Sequence, residues 1–509
     1  MREAYDIVVI GGGHNGLVAA LDLLRAGLSV CVLEARDQFG GCAITTEPLL
    51  PHFRHSPHAN CFVFADLFPD RISPSRLSVG VIQPEAQLGV AFSDGRPPVI
   101  LHRPDLLDDT RRSLGAYSPR DAAKYVELKR RSERLGPLLQ RSLYSAPEAG
   151  WFDRQRESVR RVFRSYCGGS KLGRRTAREL IEGIFETPEI RILLYALAIE
   201  TGVGLEDPGG DIAFLAVSLW VAGRWRIPVG GMQNYSAALA AAARDDGAEL
   251  FSSTTVARVL VEQGRAVGVE IAGGGRVIAK QAVVSATPLL TLFDAMLNER
   301  DIAPSEQVDV NIFRQTSAPS IGTSAFCLDQ APRYRSGRHD DQINRCLKTV
   351  IGRESPADFL REGAEIHAGL LPSPAGIVRM HSLWDSTLAP AGRHIAAIDS
   401  VFPPLATMNA ETWRAVASSF PVALSEVWQR HLVGVHCELA RTMSFDDGLD
   451  FERRMLVRSG QHQYRTSIRG LYLAGPGVYP GGGVHGACGR NAATTILAAL
   501  AMVRVINRS

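Results

Sequence analysis

The chain has 509 residues, of which 45% are hydrophobic and 21% charged, and its 48 Gly and 28 Pro are not gathered into low-complexity runs. This composition excludes a collagen, a coiled coil and a disordered chain, and the length predicts two or three domains. The 56 Lys and Arg against 53 Asp and Glu leave a net charge of +3, so we expect no nucleic-acid partner.

Cysteine usage and the start of the chain predict a cytoplasmic protein. The 8 cysteines form no C-x-x-C pair and no metal-ligand spacing, so we expect neither disulfide chemistry nor a metal site. An apolar strand begins already at Tyr5, which leaves no room for a signal or transit peptide. The most continuously apolar runs, 212–223 and 492–503, have twelve residues each. A membrane span needs about 18, so we expect none.

The first 34 residues predict a β-α-β unit. A buried strand over 5–10 leads into a glycine loop, a helix follows, and a second strand covers 30–34. Gly11 permits a tight turn, Gly13 lets the backbone approach a pyrophosphate, and Gly16 allows the helix to pack closely. This order of strand, loop and helix predicts a dinucleotide site.

An acidic residue completes this site. Glu34 ends the second strand, eighteen residues beyond Gly16, and its carboxylate can accept hydrogen bonds from both ribose hydroxyls. At this point NAD and FAD are both open. The cofactor-binding residues assigned in this unit are Gly11, Gly13, His14, Asn15, Gly16, Glu34, Ala35 and Arg36.

The middle of the chain predicts helices first and strands later. Ser118 supplies an N-cap and Pro119 a first helical position, so we expect a helix to about Leu139. Alternating apolar residues with glycine turns between them then predict a β-meander. Its strands are expected over 256–261, 267–271 and 277–286.

Two further glycine-rich segments favour FAD over NAD. Gly40 and Gly41 follow Glu34 at a distance typical of large flavoproteins. Near the end of the chain, a short strand leads into a glycine-rich turn around His485, and a helix is expected from about Gly489. The N-terminus of this helix is expected to face the pyrimidine end of a flavin, where reduction leaves negative charge.

Four more motifs carry a family resemblance. They are Pro228-Val-Gly-Gly-Met232-x-x-Tyr235, Val256-x-x-Val259, Val283-Val-Ser-Ala286 and Tyr464-Arg-Thr466-x-x-x-Gly470-Leu-Tyr-Leu473. With the flavin motifs, they make the chain resemble the phytoene desaturase-like flavoproteins, and most closely the subgroup named pyridine nucleotide-disulfide oxidoreductase domain-containing protein 2.

The resemblance implies an α/β fold class. A Rossmann-type FAD-binding domain of the glutathione reductase kind, a parallel sheet with a β-meander, is expected beside an α+β substrate domain like that of amine oxidases and phytoene desaturases. The FAD-binding domain is expected over 1–85, 225–300 and 440–509, and the substrate domain over 86–224 and 301–439. The resemblance adds these residues to the noncovalent FAD site: Gly40, Gly41, Cys42, Val256, Gly475, Gly483 and Val484.

The expected activity is that of an FAD-dependent oxidoreductase. It desaturates or oxidises a C–C or C–N bond of a small, lipophilic substrate by hydride transfer to the flavin. Residues 484–487 are closer to the pattern of flavin amine oxidases, so an amine oxidase stays open. A redox-neutral isomerase and a non-catalytic escort protein on the same fold also stay open. Because the sequence has no second dinucleotide fold, we expect oxygen, a quinone or another protein as electron acceptor.

His485 and His58 are the candidate catalytic residues, since the resemblance places both segments near the flavin. A purely structural hydrogen bond is the alternative for each of them. His52, His55 and His58 recur every three residues, but neighbouring prolines argue against a shared metal.

Two other features leave alternatives open. A covalent link to Cys42 or Cys488 is the alternative to noncovalent FAD. Residues 154–178 hold nine basic residues against one acidic residue, which predicts a solvated helix face. Contact with anionic lipid headgroups is the alternative, and it would make the protein peripheral to a membrane.

Overall fold

A computed structural model describes residues 1–147, 150–164, 172–315, 318–434, 438–445 and 463–506. Cys167, Cys437 and residues 165–171 of the basic stretch lie outside the described residues, together with the predictions that concern them.

The described strands are β1 (Ala4–Ile10), β2 (Val30–Leu33), β3 (Val81–Ile82), β4 (Ala86–Val90), β5 (Val99–His102), β6 (Ile227–Pro228), β7 (Glu249–Phe251), β8 (Val256–Glu262), β9 (Arg265–Ile271), β10 (Arg276–Ser285), β11 (Ser320–Leu328), β12 (Lys348–Ile351), β13 (Gly376–Arg379), β14 (His394–Phe402), β15 (Glu438–Phe445) and β16 (Leu471–Leu473).

The described helices are α1 (His14–Arg25), α2 (Leu107–Gly115), α3 (Pro119–Glu133), α4 (Gly136–Leu143), α5 (Trp151–Phe163), α6 (Ala177–Ile184), α7 (Pro188–Glu200), α8 (Gly210–Ala213), α9 (Leu219–Val221), α10 (Met232–Asp245), α11 (Pro304–Gln315), α12 (Pro356–His367), α13 (Ala410–Arg430) and α14 (Ala487–Ile506).

Seven of the described strands form the first sheet, in the order β7-β2-β1-β10-β9-β8 with β16 beside β10. Strands β7, β2, β1, β10 and β16 run parallel to their neighbours, and β8, β9 and β10 form an antiparallel meander. Residues 7–10 of β1 are all buried, as expected where helices cover both faces of a parallel sheet. The predicted α/β class with a Rossmann-like sheet and a β-meander is confirmed.

The register of this sheet brings distant segments to one edge. Ile10 at the end of β1 lies opposite Leu33 of β2 and Ser285 of β10. Ser285 in turn lies opposite Leu473 of β16. The residues that follow these four strand ends therefore share the carboxyl edge of the sheet, where open α/β sheets bind their ligands.

The second sheet has the order β15-β11-β14-β13-β12-β4-β5. One of its faces packs against α13, where Phe326 and Ile398 share an apolar core with Leu424. Its other face meets the chain segment that follows the diglycine, since Phe53 packs on Cys327 and Ile395. The division into an FAD-binding and a substrate domain stays a prediction.

One helix differs from its predicted length. The side chain of Ser118 accepts a hydrogen bond from the backbone N–H of Asp121, so α3 begins where the cap predicts. It ends at Glu133 rather than near Leu139, and α4 begins at Gly136. Pro137 lies four residues after Glu133 and has no N–H to continue the hydrogen-bond ladder, which explains the early end.

Within the described ranges, no helix combines the length and the apolar character needed to cross a membrane.

Replacing Gly489 by Ala tests the contact between α1 and α14. A Cβ on Gly489 would lie 2.0 Å from the carbonyl oxygen of Asn15, so the two helices must separate. We expect Gly489→Ala to lower the unfolding free energy by about 1–3 kcal/mol, measured by thermal or urea unfolding.

Gly363→Ala is the matched control. Gly363 lies within α12, and a Cβ on it would have no heavy atom within 4 Å, so the same substitution should stabilise by about 0.5–1 kcal/mol. Equal melting temperatures for the two variants would contradict the close helix contact.

Candidate functional site

Glycines allow three distant segments to meet at the carboxyl edge of the first sheet. Gly11 has a φ of +97°, and a Cβ on Gly16 would lie 2.1 Å from the carbonyl oxygen of Gly11. A Cβ on Gly475, just after β16, would lie 2.4 Å from the carbonyl oxygen of Thr287, just after β10. The structure thus brings the first and last predicted cofactor segments together with the end of the meander.

Glu34 is buried beside the glycine loop. Its Oε2 accepts a hydrogen bond from the backbone N–H of Gly12 (2.7 Å), and its Oε1 accepts one from Arg36 (2.9 Å). A carboxylate has about four acceptor sites, so capacity for two ribose hydroxyls is left. Ala35 and Arg36 are exposed, and the Arg36 guanidinium donates to the carbonyl of Gly41 (3.1 Å).

The diglycine packs directly on the glycine loop. The N–H of Gly40 donates to the carbonyl of Gly12 (2.9 Å), and a Cβ on Gly41 would lie 3.1 Å from the Cα of Gly13. Helix α1 starts behind this contact with Gly13 as its N-cap and with no side-chain cap. Such a helix N-terminus, with backbone N–H groups pointing outward, is suited to a pyrophosphate.

The C-terminal loop closes over the start of α1. The Nε2 atom of His14 lies 3.0 Å from the carbonyl oxygen of Gly483, a contact between residues 469 positions apart. A Cβ on Gly486 would lie 2.8 Å from a methyl carbon of Val18. Asn15 is buried, and among the described residues its Oδ1 has no hydrogen-bond partner.

The glycine loop 11–16, the diglycine 40–41 and the glycine turn 481–486 together form what we call the cradle. Val256 lies at the end of this cradle opposite the C-terminal turn. It is buried at the start of β8, two residues after Thr254, whose N–H donates to the carbonyl of Glu34 (2.8 Å). These contacts link the predicted cofactor segments from Val256 and Glu34 to Gly483, and their role in binding a cofactor stays a prediction. Glycine cradles, an uncapped helix and a buried carboxylate fit a dinucleotide cofactor.

His485 is fully buried and uses both ring nitrogens within its own loop. Its Nδ1 accepts a hydrogen bond from the N–H of Ala487 (3.1 Å), the first residue of α14, and its Nε2 lies 3.2 Å from the carbonyl of Gly482. Burial, followed by nearby His14, lowers the pKa of His485 to about 3, so the ring is neutral. These contacts support a role in shaping the loop, and its role as a catalytic base stays a prediction.

The three histidines of the segment after the diglycine lie in different surroundings. His52 is exposed with a φ of 67°. His55 is buried, its Nδ1 has no partner among the described residues, and burial together with the charge of Arg379 lowers its pKa to about 4. His58 lines a cavity, described next, and its predicted catalytic role stays a prediction.

A cavity of about 140 Å³ lies between the second sheet, α7 and residues 57–60. Its wall is tied to the cradle, because the N–H of Ala59 donates to the carbonyl of Cys42, next to the diglycine (3.4 Å). Sequence reasoning missed the charged side chains of this wall, which include Glu200 and Asp399.

Two hydroxyls that sequence reasoning also missed connect the segment after the diglycine to the start of α10. Helix α10 begins after Gly231 without a cap of its own. Instead, Ser56 Oγ accepts from the N–H of Met232 and Thr45 Oγ1 from that of Gln233, both at 3.1 Å. The only sequence signal is the lack of a capping residue before α10.

The surroundings of Cys488 argue against this residue as a covalent link to the cofactor. Cys488 is fully buried, its thiol donates to the carbonyl of Gly481 (3.3 Å), and burial raises its pKa to about 12. A protonated thiol is a poor nucleophile. Cys42 is partly exposed.

Comparison with known proteins confirms the predicted family resemblance. A family model described as an NAD(P)-binding Rossmann-like domain matches residues 9–66. The chain is 27% identical to a subunit of limonene dehydrogenase from Castellaniella defragrans, over 96% of this chain and 94% of that protein. It is 25% identical to pyridine nucleotide-disulfide oxidoreductase domain-containing protein 2 of Rattus norvegicus, over 97% and 93%. It is 26% identical to hydroxyneurosporene desaturase of Cereibacter sphaeroides, over 97% and 98%.

Solved structures share the fold over nearly the whole chain. An oxidoreductase from Methanosarcina mazei has a TM-score of 0.61 at 16% identity, covering 97% of this chain and 99% of that one. Putrescine oxidase bound to putrescine has a TM-score of 0.55 at 16% identity, covering 98% and 99%. Rab GDI from Plasmodium falciparum has a TM-score of 0.55 at 9% identity, covering 98% of both chains.

Buried neutral histidines make the stability of the fold sensitive to acid. Burial lowers the pKa of His485 to about 3 and those of His55 and His431 to about 4, against about 6.5 in the unfolded chain. The unfolded state therefore binds more protons than the folded state between about pH 4 and 6.5. We expect the unfolding free energy to fall as the pH drops through this window, by about 1.4 kcal/mol per pH unit and histidine.

Melting temperatures at pH 7.5 and 5.0 test this expectation. His431→Gln should reduce the difference, because His431 is 2% exposed and its ring lies between Ala91 and Gly352, away from the cradle. His367→Gln, at an exposed position on α12, should leave the difference unchanged. The same pH dependence in both variants would contradict the contribution of His431 to the acid sensitivity.

Proposed function

We propose that this chain is an FAD-dependent oxidoreductase that removes two hydrogens from a C–C or C–N bond of a small organic substrate. The observation that carries the proposal is the meeting of the glycine loop, the diglycine and the C-terminal glycine turn at one sheet edge. The relatives, which include a dehydrogenase and a desaturase, support a flavin-type cofactor and an oxidative reaction.

In this proposal the protein holds the cofactor mainly through the N–H groups of its own backbone. The first-turn N–H groups of α1 would bind the pyrophosphate, and Glu34, which already accepts from Gly12, would accept the ribose hydroxyls. The N-terminus of α14, whose first N–H donates to His485, would lie on the flavin side of the site. Bound FAD would supply the hydride acceptor for this reaction.

The remaining groups position the substrate and receive its second hydrogen. The cavity beside residues 57–60 holds the substrate between α7 and the second sheet. One hydrogen leaves as hydride with two electrons, and the other leaves as a proton to water or to a base, for which His58 and His485 are the candidates. Oxygen, a quinone or another protein then takes the electrons.

The substrate class is tested by anaerobic reduction of the bound flavin. A panel of polyenes, acyl chains and amines covers C–C and C–N oxidation, and loss of the flavin absorbance band identifies the compound that donates hydride. A colourless protein that does not take up FAD would instead support a binding protein on the same fold.

Glu34→Ala should weaken the retention of FAD. The substitution removes a charged acceptor of two ribose hydrogen bonds, each worth about 1.5–3 kcal/mol. Flavin content is measured as the ratio of flavin to protein absorbance after dialysis, and heat or acid should release FAD from the wild type into the supernatant. A yellow pellet with a colourless supernatant would contradict noncovalent binding.

Glu249→Ala is the matched control for this loss. Glu249 is a carboxylate on the neighbouring strand β7 that accepts from the hydroxyl of Tyr5 rather than from the glycine loop. Its replacement should leave the flavin content unchanged, and equal losses in the two variants would point to a general destabilisation of the sheet.

Neither NADH nor NADPH should reduce the flavin. In the part of the chain that the structure describes, a glycine loop joins a parallel strand of the first sheet directly to a helix once, at Gly11 to Gly16, and in this proposal FAD fills it. Stopped-flow mixing under argon measures the rate, and bleaching within seconds at micromolar nucleotide would refute the expectation.

A further inference from the structure

Buried ion pairs form one wall of the cavity beside residues 57–60. Lys348 of β12 pairs with Glu200 at the end of α7. Arg379 of β13 binds Asp399 of β14 through two hydrogen bonds, one of them 2.7 Å from Nη2 to Oδ1. Lys348 and Arg379 lie directly opposite each other on adjacent strands, so each of these two cations needs its own carboxylate.

In these two pairs the carboxylates, rather than Lys348 and Arg379, face the cavity. The side chains of Lys348 and Arg379 are 1% and 2% exposed, whereas those of Glu200 and Asp399 are 16% and 20% exposed and line the cavity. The wall therefore presents acceptor oxygens, with the positive charges behind them.

Two neutral groups extend this acceptor surface. Thr323 donates its own hydroxyl hydrogen to Asp399 (2.7 Å), which leaves its oxygen lone pairs. Asn60 donates through Nδ2 to the carbonyl of His58 (3.3 Å), and its buried Oδ1 has no partner among the described residues. Both residues line the cavity.

The wall is neutral as a whole. Arg353 also lines the cavity and is paired with Glu362 at 2.7 Å, so three cations face three carboxylates. A ligand carboxylate would lie against Glu200 and Asp399 and be repelled. A donor O–H or N–H would gain hydrogen bonds to charged acceptors, which are stronger than those to neutral ones.

Much of the remaining lining is apolar, with His58, Ser400 and Ser444 as its further polar residues. Ile199 of α7, Phe359 of α12 and Ile377 of β13 contribute to it. These side chains suit a short hydrocarbon part next to the polar end.

From this arrangement we infer that the cavity binds an amphipathic substrate through a hydrogen-bond donor, a hydroxyl or an amine, held by Glu200, Asp399 and Asn60. The inference rests on the proposed function, because it names the substrate class of the same oxidoreductase. It disfavours both carboxylic acids and hydrocarbons that carry no donor.

The test compares four probes on the purified protein by saturation-transfer difference NMR. They are 1-hexanol, hexylamine, dipropyl ether and hexanoate, and the ether has the same formula as the alcohol but no donor. We expect hexanol or hexylamine to bind at least about tenfold more tightly than both the ether and hexanoate. Equal binding of the alcohol, the amine and the ether, or tightest binding of hexanoate, would overturn the inference.

Variants show whether the donor binds at this wall. Glu200→Leu combined with Lys348→Met removes a whole ion pair, a change that buried pairs often tolerate, and should abolish the preference for the donor. Asn60→Leu, which changes no charge, should reduce the preference for the donor, and it tests the wall even if the double variant does not fold. Arg258→Met with Glu270→Leu removes an exposed pair on the meander and should leave the preference intact. A preference that persists in Asn60→Leu and in any folded double variant would overturn the inference.

Flavin absorbance of the same samples separates this inference from the proposed function. The NMR signal arises from the probe and does not need a flavin. A colourless protein that still prefers hexanol over the ether would refute the proposed oxidoreductase and support the donor site. A yellow protein without this preference would refute the donor site and support the oxidoreductase.

Discussion

The cofactor cradle depends on one steric constraint, the close approach of three backbone segments around Ala286. A Cβ on Gly11 would lie 3.3 Å from the carbonyl carbon of Ala286, and one on Gly16 would lie 3.1 Å from its Cβ. A Cβ on Gly475 would again lie 3.3 Å from the carbonyl carbon of Ala286. Because no side chain separates these segments, the carboxyl ends of β1, β10 and β16 lie close enough to form a single site.

This constraint also explains why the site needs so few charged side chains. With the segments in contact, helices α1 and α14 both begin at the same sheet edge, at His14 and Ala487. Helix N-termini carry partial positive charge, and α1 also has free first-turn N–H groups, which suits the phosphates and the reduced flavin of the proposed cofactor. A net charge of only +3 is therefore no obstacle to binding an anionic cofactor.

Local patterns predicted most of the first sheet, but they did not predict ion pairs and hydrogen bonds between residues far apart in the sequence. The meander strands begin and end within about two residues of their predicted bounds, because alternation and glycine turns act over short distances. The cavity wall could not be predicted, since Glu200 and Lys348 are 148 positions apart and neither lies in a motif. The hydrogen bonds from α10 to Thr45 and Ser56 were not predicted, because these residues are also far from α10 in the sequence.

The surroundings of the histidines limit the chemistry that the proposed site can perform. Burial lowers the pKa of His485 to about 3 and that of His55 to about 4, so both rings are weak bases at neutral pH. His485 would also have to give up its hydrogen bond from Ala487 to accept a proton on Nδ1.

Hydride loss from a plain hydrocarbon leaves a carbocation without a stabilising neighbour, so the hydride transfer itself is unfavourable. A nitrogen or oxygen on the reacting carbon lowers this cost, because its lone pair stabilises the positive charge. The proton on that heteroatom is then acidic enough to pass to water. In the proposed reaction, stabilisation of the cation and the acceptor wall of the cavity thus favour the same kind of substrate, one that carries a hydroxyl or an amine on the carbon that is oxidised.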